Sequence, residues 1–373
     1  EESLISRGTN IAFMMGSKPD KLKTYLGLDD LLILPNASLV APNEAEIQSR
    51  ATKNLKLEIP IVGSPMDTVT ESDMAIALAD MGAIGVIHRN MTVEREVGEV
   101  RKVKERGLRV IGAVGPFDLD RARAVDSAGA DGILVDCAHG HNLNVIRSAK
   151  SIKSEISGQL ILGNIATEQA ARDCMPVEPD ALRVGVGSGS ICTTNIATGV
   201  GVPLASAIAD VYSITEEYDI PIIADGGIKA GGDMVKALAL GADCVMIGSL
   251  FAGTTESPGK IIDGSLVGLE GKYKLYRGMG SRSVIRDTDR YMRSSKCAAE
   301  GTEAIVPLKG SVRDLVEELA WSIRQGMGYV GAKNIGELRQ KANFVLVSRQ
   351  QGNSNVIPIE TERWLKLRED SNE

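Results

Sequence analysis

Short, continuous apolar runs recur along this chain at a regular interval, each closed by Gly, Asp, Asn, His or Cys. EIPIVG (58–63), AIGVIH (83–88), RVIGAV (109–114) and GILVDC (132–137) open the series. QLILGN (159–164), ALRVGV (181–186), IPIIAD (220–225) and DCVMIG (243–248) complete it. Apolar runs without strict alternation predict strands covered on both faces, as in a parallel sheet. Between them lie stretches with helical spacing, among them ESDMAIALADMG (71–82), VEREVGEVRKVKERG (93–107) and DLDRARAVDSAGA (118–130). Most strand starts fall 22 to 27 residues apart, the length of one βα unit. Eight such units predict an α/β fold of the (β/α)8 TIM-barrel class. A doubly wound open sheet is the alternative; eight strands with no GxGxxG opening the first unit tell against it.

Two intervals break the beat. Strands six and seven start 39 residues apart, and the surplus is RVGVGSGSICTTNIATGVG (183–201). After strand eight, about 264–306 forms a second excursion. Both begin near the C-terminal ends of strands, where barrels carry their catalytic loops, and long glycine-rich loops commonly act as lids. The expected organisation is one catalytic barrel over 1–352, with a flap at about 264–306 and a polar tail at 353–373.

Composition narrows the function classes. The 373 residues are 43% hydrophobic and 24% charged, as in an ordinary soluble protein, with only 3% aromatics and 40 glycines. Aliphatic packing with many glycine-bearing turns suits the α/β reading. A net charge of −7 without a basic stripe disfavours a nucleic-acid partner. No run approaches the ~18–20 apolar residues of a membrane span, and no signal-peptide core opens the chain. Five cysteines (Cys137, Cys174, Cys192, Cys244 and Cys297) form no CxxC pair, which predicts reduced thiols in the cytoplasm. Three histidines are too few and too scattered for a metal cluster.

Candidate chemistry gathers at strand ends. In the 183–201 loop, Cys192 is either a nucleophile or a small residue in a turn; no His neighbours it in sequence. The glycines allow backbone amides to approach an anion, with Ser190 adding a hydroxyl, or turn carbonyls outward toward a monovalent cation. IIADGGIKAGGD (222–233) and VMIGSLFAG (245–253) follow strands seven and eight, where barrels commonly bind phosphate. Gly227, Gly248 and Ser249 are the donors, Asp225 an acceptor for a ribose hydroxyl; tight turns that need glycine are the alternative. Asp136 ends strand four, placed for a second ribose or a nicotinamide group. His139 and His141 beside it read as polar loop residues. Asp67 and Glu71, in GSPMDTVTE, read as caps of the following helix. RDTDRYM (286–292) is either solvated loop or a lid whose Arg–Tyr pair acts on a water, with Glu300 as proton acceptor.

Taken together, SPMDTVTE, GSGSICTT, ADGGI, GSLFAGTTESPG and YRGMGS resemble, in order, the motifs of the inosine-monophosphate dehydrogenase and guanosine-monophosphate reductase group. The match runs from LGLDDLLILPN near residue 26 to FVLVS at 348. The resemblance implies that Cys192 attacks C2 of a purine nucleoside monophosphate, with hydride passing between C2 and a nicotinamide cofactor. It implies nucleotide contacts from Ser64, Met66, Asn164, Arg183, Ser190, Asp225, Gly227, Gly248, Ser249, Tyr276, Met279 and Gly280. Asp136 would face the cofactor, carbonyls of Gly187, Gly189 and Cys192 would hold potassium, and Thr194 and Glu300 would share acid/base work. It also implies a homotetramer.

Within the group, DRYM supplies Arg290 and Tyr291, the flap pair of the dehydrogenases, with the Arg as base for water. YRGMGS and RQGMGY also favour that branch: oxidation of IMP by NAD to xanthosine monophosphate (XMP). CTTNIATGVG is closer to the reductases, which use NADPH to convert GMP to IMP with loss of ammonia. VRKVKERGLRVIGAV runs straight into strand three, where dehydrogenases usually insert a pair of regulatory CBS modules. That absence matches short reductases and argues against allosteric purine-nucleotide control. A barrel that binds nucleotide without turnover is the third reading, disfavoured by the presence of Cys192, Thr194, Arg290 and Tyr291.

Overall fold

The computed structural model of the chain describes residues 23–287 and 298–347. All eight predicted strands form: β1 (Ile61–Gly63), β2 (Ile84–Ile87), β3 (Val110–Val114), β4 (Gly132–Asp136), β5 (Gln159–Ile165), β6 (Ala181–Val184), β7 (Ile222–Asp225) and β8 (Cys244–Ile247). They pair in sequence order, all parallel, and β8 closes on β1 with Val245 opposite Ile61 and Met246 opposite Val62. The fold is a (β/α)8 barrel.

Strand alternation explains why the runs carry no polar face. Val62, Ile84, Val86, Ile111, Ala113, Leu134, Ile161, Ile223 and Met246 fill the barrel interior. Their neighbours, such as Ile61, Ile87, Val110, Val114 and Ile133, pack outward under the helices. Leu55 and Leu57, from a hairpin pairing Ser49–Arg50 with Lys56–Leu57, plug the N-terminal end.

The outer layer is α1 (Ser72–Asp80), α2 (Val93–Lys104), α3 (Leu119–Ser127), α4 (Leu143–Lys153) and α5 (Glu168–Cys174). It continues, past the short α6 (Thr194–Thr198), with α7 (Leu204–Tyr218) and α8 (Gly231–Ala239). Thr92, Asp118, Asn142 and Thr167 cap α2 to α5 by accepting a backbone N–H. A Cβ on Gly112 would stand 2.3 Å from Val125, so glycine lets α3 close onto β3. Residues 105–109 alone join α2 to β3.

After β8 and the short α9 (Ser249–Ala252), the flap excursion folds into an antiparallel sheet. Its strands are β9 (Ile261–Asp263), β10 (Lys272–Arg277) and β11 (Glu303–Pro307), with α10 (Arg282–Asp287) between the last two. α11 (Val312–Val330) completes the outer ring, and α12 (Ile335–Lys341) follows. Arg290, Tyr291 and the tail at 353–373 lie outside the described residues. No helix among those described is long and apolar enough to cross a membrane.

Candidate active site at the barrel mouth

The mouth is organised by one buried cation. Arg183 on β6 reaches Asp136 at the end of β4 (Nη1 to Oδ1, 2.8 Å) and Asp225 at the end of β7 (Nη2 to Oδ2, 2.8 Å). Burial alone would lower the guanidinium's affinity for its proton, but the two carboxylates outweigh it and hold the pKa above the usual value. Asn164 at the end of β5 donates to the same Oδ2 of Asp225 (2.8 Å) and to the Gly185 carbonyl (2.7 Å). Arg183 and Asn164 both bond Asp225 through Oδ2, and among the described residues no bond falls on Oδ1. Asp136 also accepts from Arg89 Nε (3.2 Å).

The cysteine loop is pressed against the β7 turn. Gly185 (φ 145°) and Gly226 (φ 92°) adopt conformations that side chains avoid; a Cβ on Gly185 would meet the Asp225 carbonyl at 2.1 Å. Ser188 Oγ donates to that carbonyl (2.9 Å). A short backbone ladder then ties the loop to the flap: Thr193 N–H donates to the Glu300 carbonyl (2.9 Å) and Thr302 N–H to that of Ile191 (3.1 Å). It brings Cys192, Thr194 and Glu300 into line. Thr194 Oγ1 donates to Glu300 Oε2 (2.9 Å), which spends its only proton. Its contact with Cys192 Sγ (3.2 Å) therefore has the thiol as donor. The result is a relay: S–H to O–H to carboxylate.

On the other side of the loop, Ser190 Oγ lies 3.3 Å from the hydroxyl of buried Tyr276, whose pKa burial raises. A Cβ on Gly248 would meet Met66 Sδ at 3.2 Å and Tyr276 Oη at 3.4 Å, so a bare backbone is kept beside Ser64 and Ser249. The Gly280 carbonyl accepts from Glu300 N–H (3.0 Å).

These groups surround one cavity of about 1180 Å³. Every candidate residue among the described residues lines it: the Ser64 and Met66 turn, Asp136, Asn164, Arg183, the Gly187–Gly189–Ser190–Cys192–Thr194 loop, Asp225 and Gly227, Gly248 and Ser249, Tyr276, Met279, Gly280 and Glu300. Asp67 and Glu71 depart from the capping expectation. Glu71 stands at the N-cap of α1 without a capping bond, because its carboxylate is drawn to His88 (3.1 Å) and Arg95 (2.7 Å). Asp67 accepts from Asn90 (2.8 Å) and from Arg277 at the end of β10 (2.6 Å), pinning the flap root to the β1 turn. His141 pairs with Asp173 (2.8 Å). Sequence reasoning missed Arg89, Ser188 and Arg277. Arg89 had a usable signal, a charge just past a barrel strand in IHRN.

The relay makes a prediction. Thr194→Val removes the middle proton carrier while keeping shape, and kcat should fall roughly 10²–10⁴-fold with little change in substrate affinity. Steady-state kinetics with separate substrate titration measures this; an unchanged kcat would break the relay.

The chain matches the model of the IMP dehydrogenase / GMP reductase domain over residues 25–355. It is 40% identical to the inosine-5'-monophosphate dehydrogenase of Cryptosporidium parvum, over 90% of this chain and 94% of that one. With the Borreliella burgdorferi enzyme of the same name it shares 39%, over 88% and 96%. With that of Thermoplasma acidophilum it shares 36%, over 90% and 94%. The last alignment runs to 463 columns, well beyond the chain's own length, against 383 for the first, so the archaeal relative carries a segment with no counterpart here. On the barrel, its mouth and these matches, the chain belongs to the IMP dehydrogenase / GMP reductase family.

Proposed function

We propose that the chain is an NAD-dependent IMP dehydrogenase, converting IMP, NAD⁺ and water to XMP, NADH and a proton. The observation that carries this is the Cys192–Thr194–Glu300 relay, held at the edge of a cavity with room for two ligands. Its volume exceeds the ~300–1000 Å³ typical of one small-molecule site. Relatives that bear the dehydrogenase name support this branch over the reductase.

IMP lies with its phosphate toward Gly227, Gly248 and Ser249, a ribose hydroxyl on Asp225 Oδ1, and its base between Met66 and the Ser190–Tyr276 pair. Ser64, Asn164, Met279 and Gly280 complete its enclosure. Cys192 passes its proton through Thr194 to Glu300, and Sγ bonds to C2. When bound, NAD⁺ supplies the hydride acceptor; Asp136 and the far side of the cavity would hold it. Loss of the C2 hydrogen leaves a thioimidate on Cys192. Arg290, beside Tyr291, takes a proton from water, which adds at C2; the C–S bond breaks, Sγ takes its proton back from Glu300 through Thr194, the proton on Arg290 passes to solvent, and XMP leaves.

The Gly187, Gly189 and Cys192 carbonyls fit a potassium ion. Gly189 and Cys192 bound one turn, closed by Cys192 N–H donating to Gly189 O (3.1 Å), with Gly187 (φ 75°) two residues before it, and the three carbonyls are neutral oxygens. Such a donor set suits a monovalent cation better than a divalent one. Potassium would supply no redox chemistry and would fix the loop that presents Sγ. Assembly as a homotetramer in the cytoplasm accords with solvent-exposed Trp321 and Tyr329 on α11 in the outer ring and with thiols kept reduced.

Mass spectrometry of protein quenched during turnover should find the purine adduct on the peptide bearing Cys192. Arg290→Ala should accumulate it, because hydrolysis slows more than hydride loss. No adduct in either protein would overturn the covalent route.

A further inference from the structure

In the closed ring of eight strands, β2 stands four strands from β6 in either direction. The turns after β2 and β3 therefore face the Cys192 loop across the mouth, and Met91, Phe117, Asp118 and Arg121 line that side of the cavity. A ligand that takes hydride from C2 must sit between the two walls. What fixes the far wall is a buried ion pair.

Glu96 on α2 is fully buried, with Oε2 2.5 Å from Arg121 Nη1. Arg121, in the first turn of α3, spends its remaining donors on the two turns: Nη2 on the Met91 carbonyl (3.0 Å) and Nε on Asp118 Oδ2 (3.0 Å). Those turns carry the caps of α2 and α3, so one guanidinium ties both loops to both helices. Arg89, bound to Asp136, sits against Gly115 in the same β3 turn. Among the described residues Glu96 Oε1 has no hydrogen-bond partner, and burial pushes the carboxyl up to about 8 against the pull of Arg121 and Arg89. An acid placed so unfavourably does little for the fold that an apolar side chain would not do. Its use is to orient Arg121.

We infer that the Glu96–Arg121 pair is a positioning device for the cofactor wall, setting the β2 and β3 turns at the spacing that NAD⁺ requires. This rests on the dehydrogenase reading above. Neither residue touches the reacting atoms; the pair acts through Met91 and Asp118.

The test is calorimetric titration of the full chain with NAD⁺ alone and with IMP alone. Glu96→Met, which keeps shape and removes the acceptor, should raise the Kd for NAD⁺ about tenfold to hundredfold while leaving that for IMP unchanged. Glu96→Gln, which still accepts from Arg121, should stay within about threefold of wild type for NAD⁺. If Glu96→Met fails to fold, Glu96→Leu removes the same acceptor without altering the cavity lining. An unchanged NAD⁺ affinity in the apolar variant, or an equal loss for IMP, overturns the inference and leaves the function standing. A wild-type chain that binds IMP but no NAD⁺ sinks the functional reading and the inference with it.

Discussion

Cys192→Ala should bind IMP with near wild-type affinity and turn none of it over. The side chain is only partly buried and, among the described residues, makes no bond beyond its contact with Thr194, so its removal leaves the loop's backbone ladder intact. In the proposed pose nucleotide affinity would come from other groups: the Asp225 acceptor, the glycine amides after β7 and β8, and the Tyr276 wall. Turnover would have no such redundancy, because without Sγ no bond to C2 forms and the relay has no proton to carry. The loss should be on the order of 10⁴-fold or more, as for removal of other covalent nucleophiles. IMP titration beside a turnover assay checks both halves. Residual activity within about a hundredfold of wild type would remove the covalent mechanism; lost binding would mean that the cysteine shapes the pocket instead.

Arg183→Leu should be the most destabilising single change at the mouth. It leaves Asp136 and Asp225, both largely buried, without the cation that bridges them. Breaking a buried ion pair by removing one partner costs about 3–5 kcal/mol. Adding Asp136→Asn should recover part of it, because one buried carboxylate then needs no counter-ion. Denaturant unfolding of the wild-type, single and double variants checks this, and no recovery in the double variant would assign the loss to packing.

The barrel was legible in the sequence because its strands are buried on both faces. Interior residues such as Ile84 and Val86 alternate with outward ones such as Ile87, which makes each run uninterrupted and unlike a surface strand. The cysteine loop was legible as a surplus in spacing. The flap sheet was not: β9 and β11 are short and largely exposed, and β10 buries Lys274, whose ammonium serves the Thr254 and Ser257 carbonyls. Partnerships across the fold were also hidden. Asp67 finds Arg277 from 210 residues away, and an acid before a helix looks like a cap until that cation arrives. Glu96 reads as one more polar residue in VEREVGEV; only the packing of α2 against β3 shows it buried.

The central claim is the direction of chemistry at C2, and one measurement addresses it: the reduced-nicotinamide absorbance of purified protein given each substrate pair in turn. With IMP and NAD⁺ the absorbance should rise, with XMP as product, and GMP with NADPH should leave it flat. A fall with GMP and NADPH, and no rise with IMP and NAD⁺, would place the chain on the reductase side of its family and contradict the account.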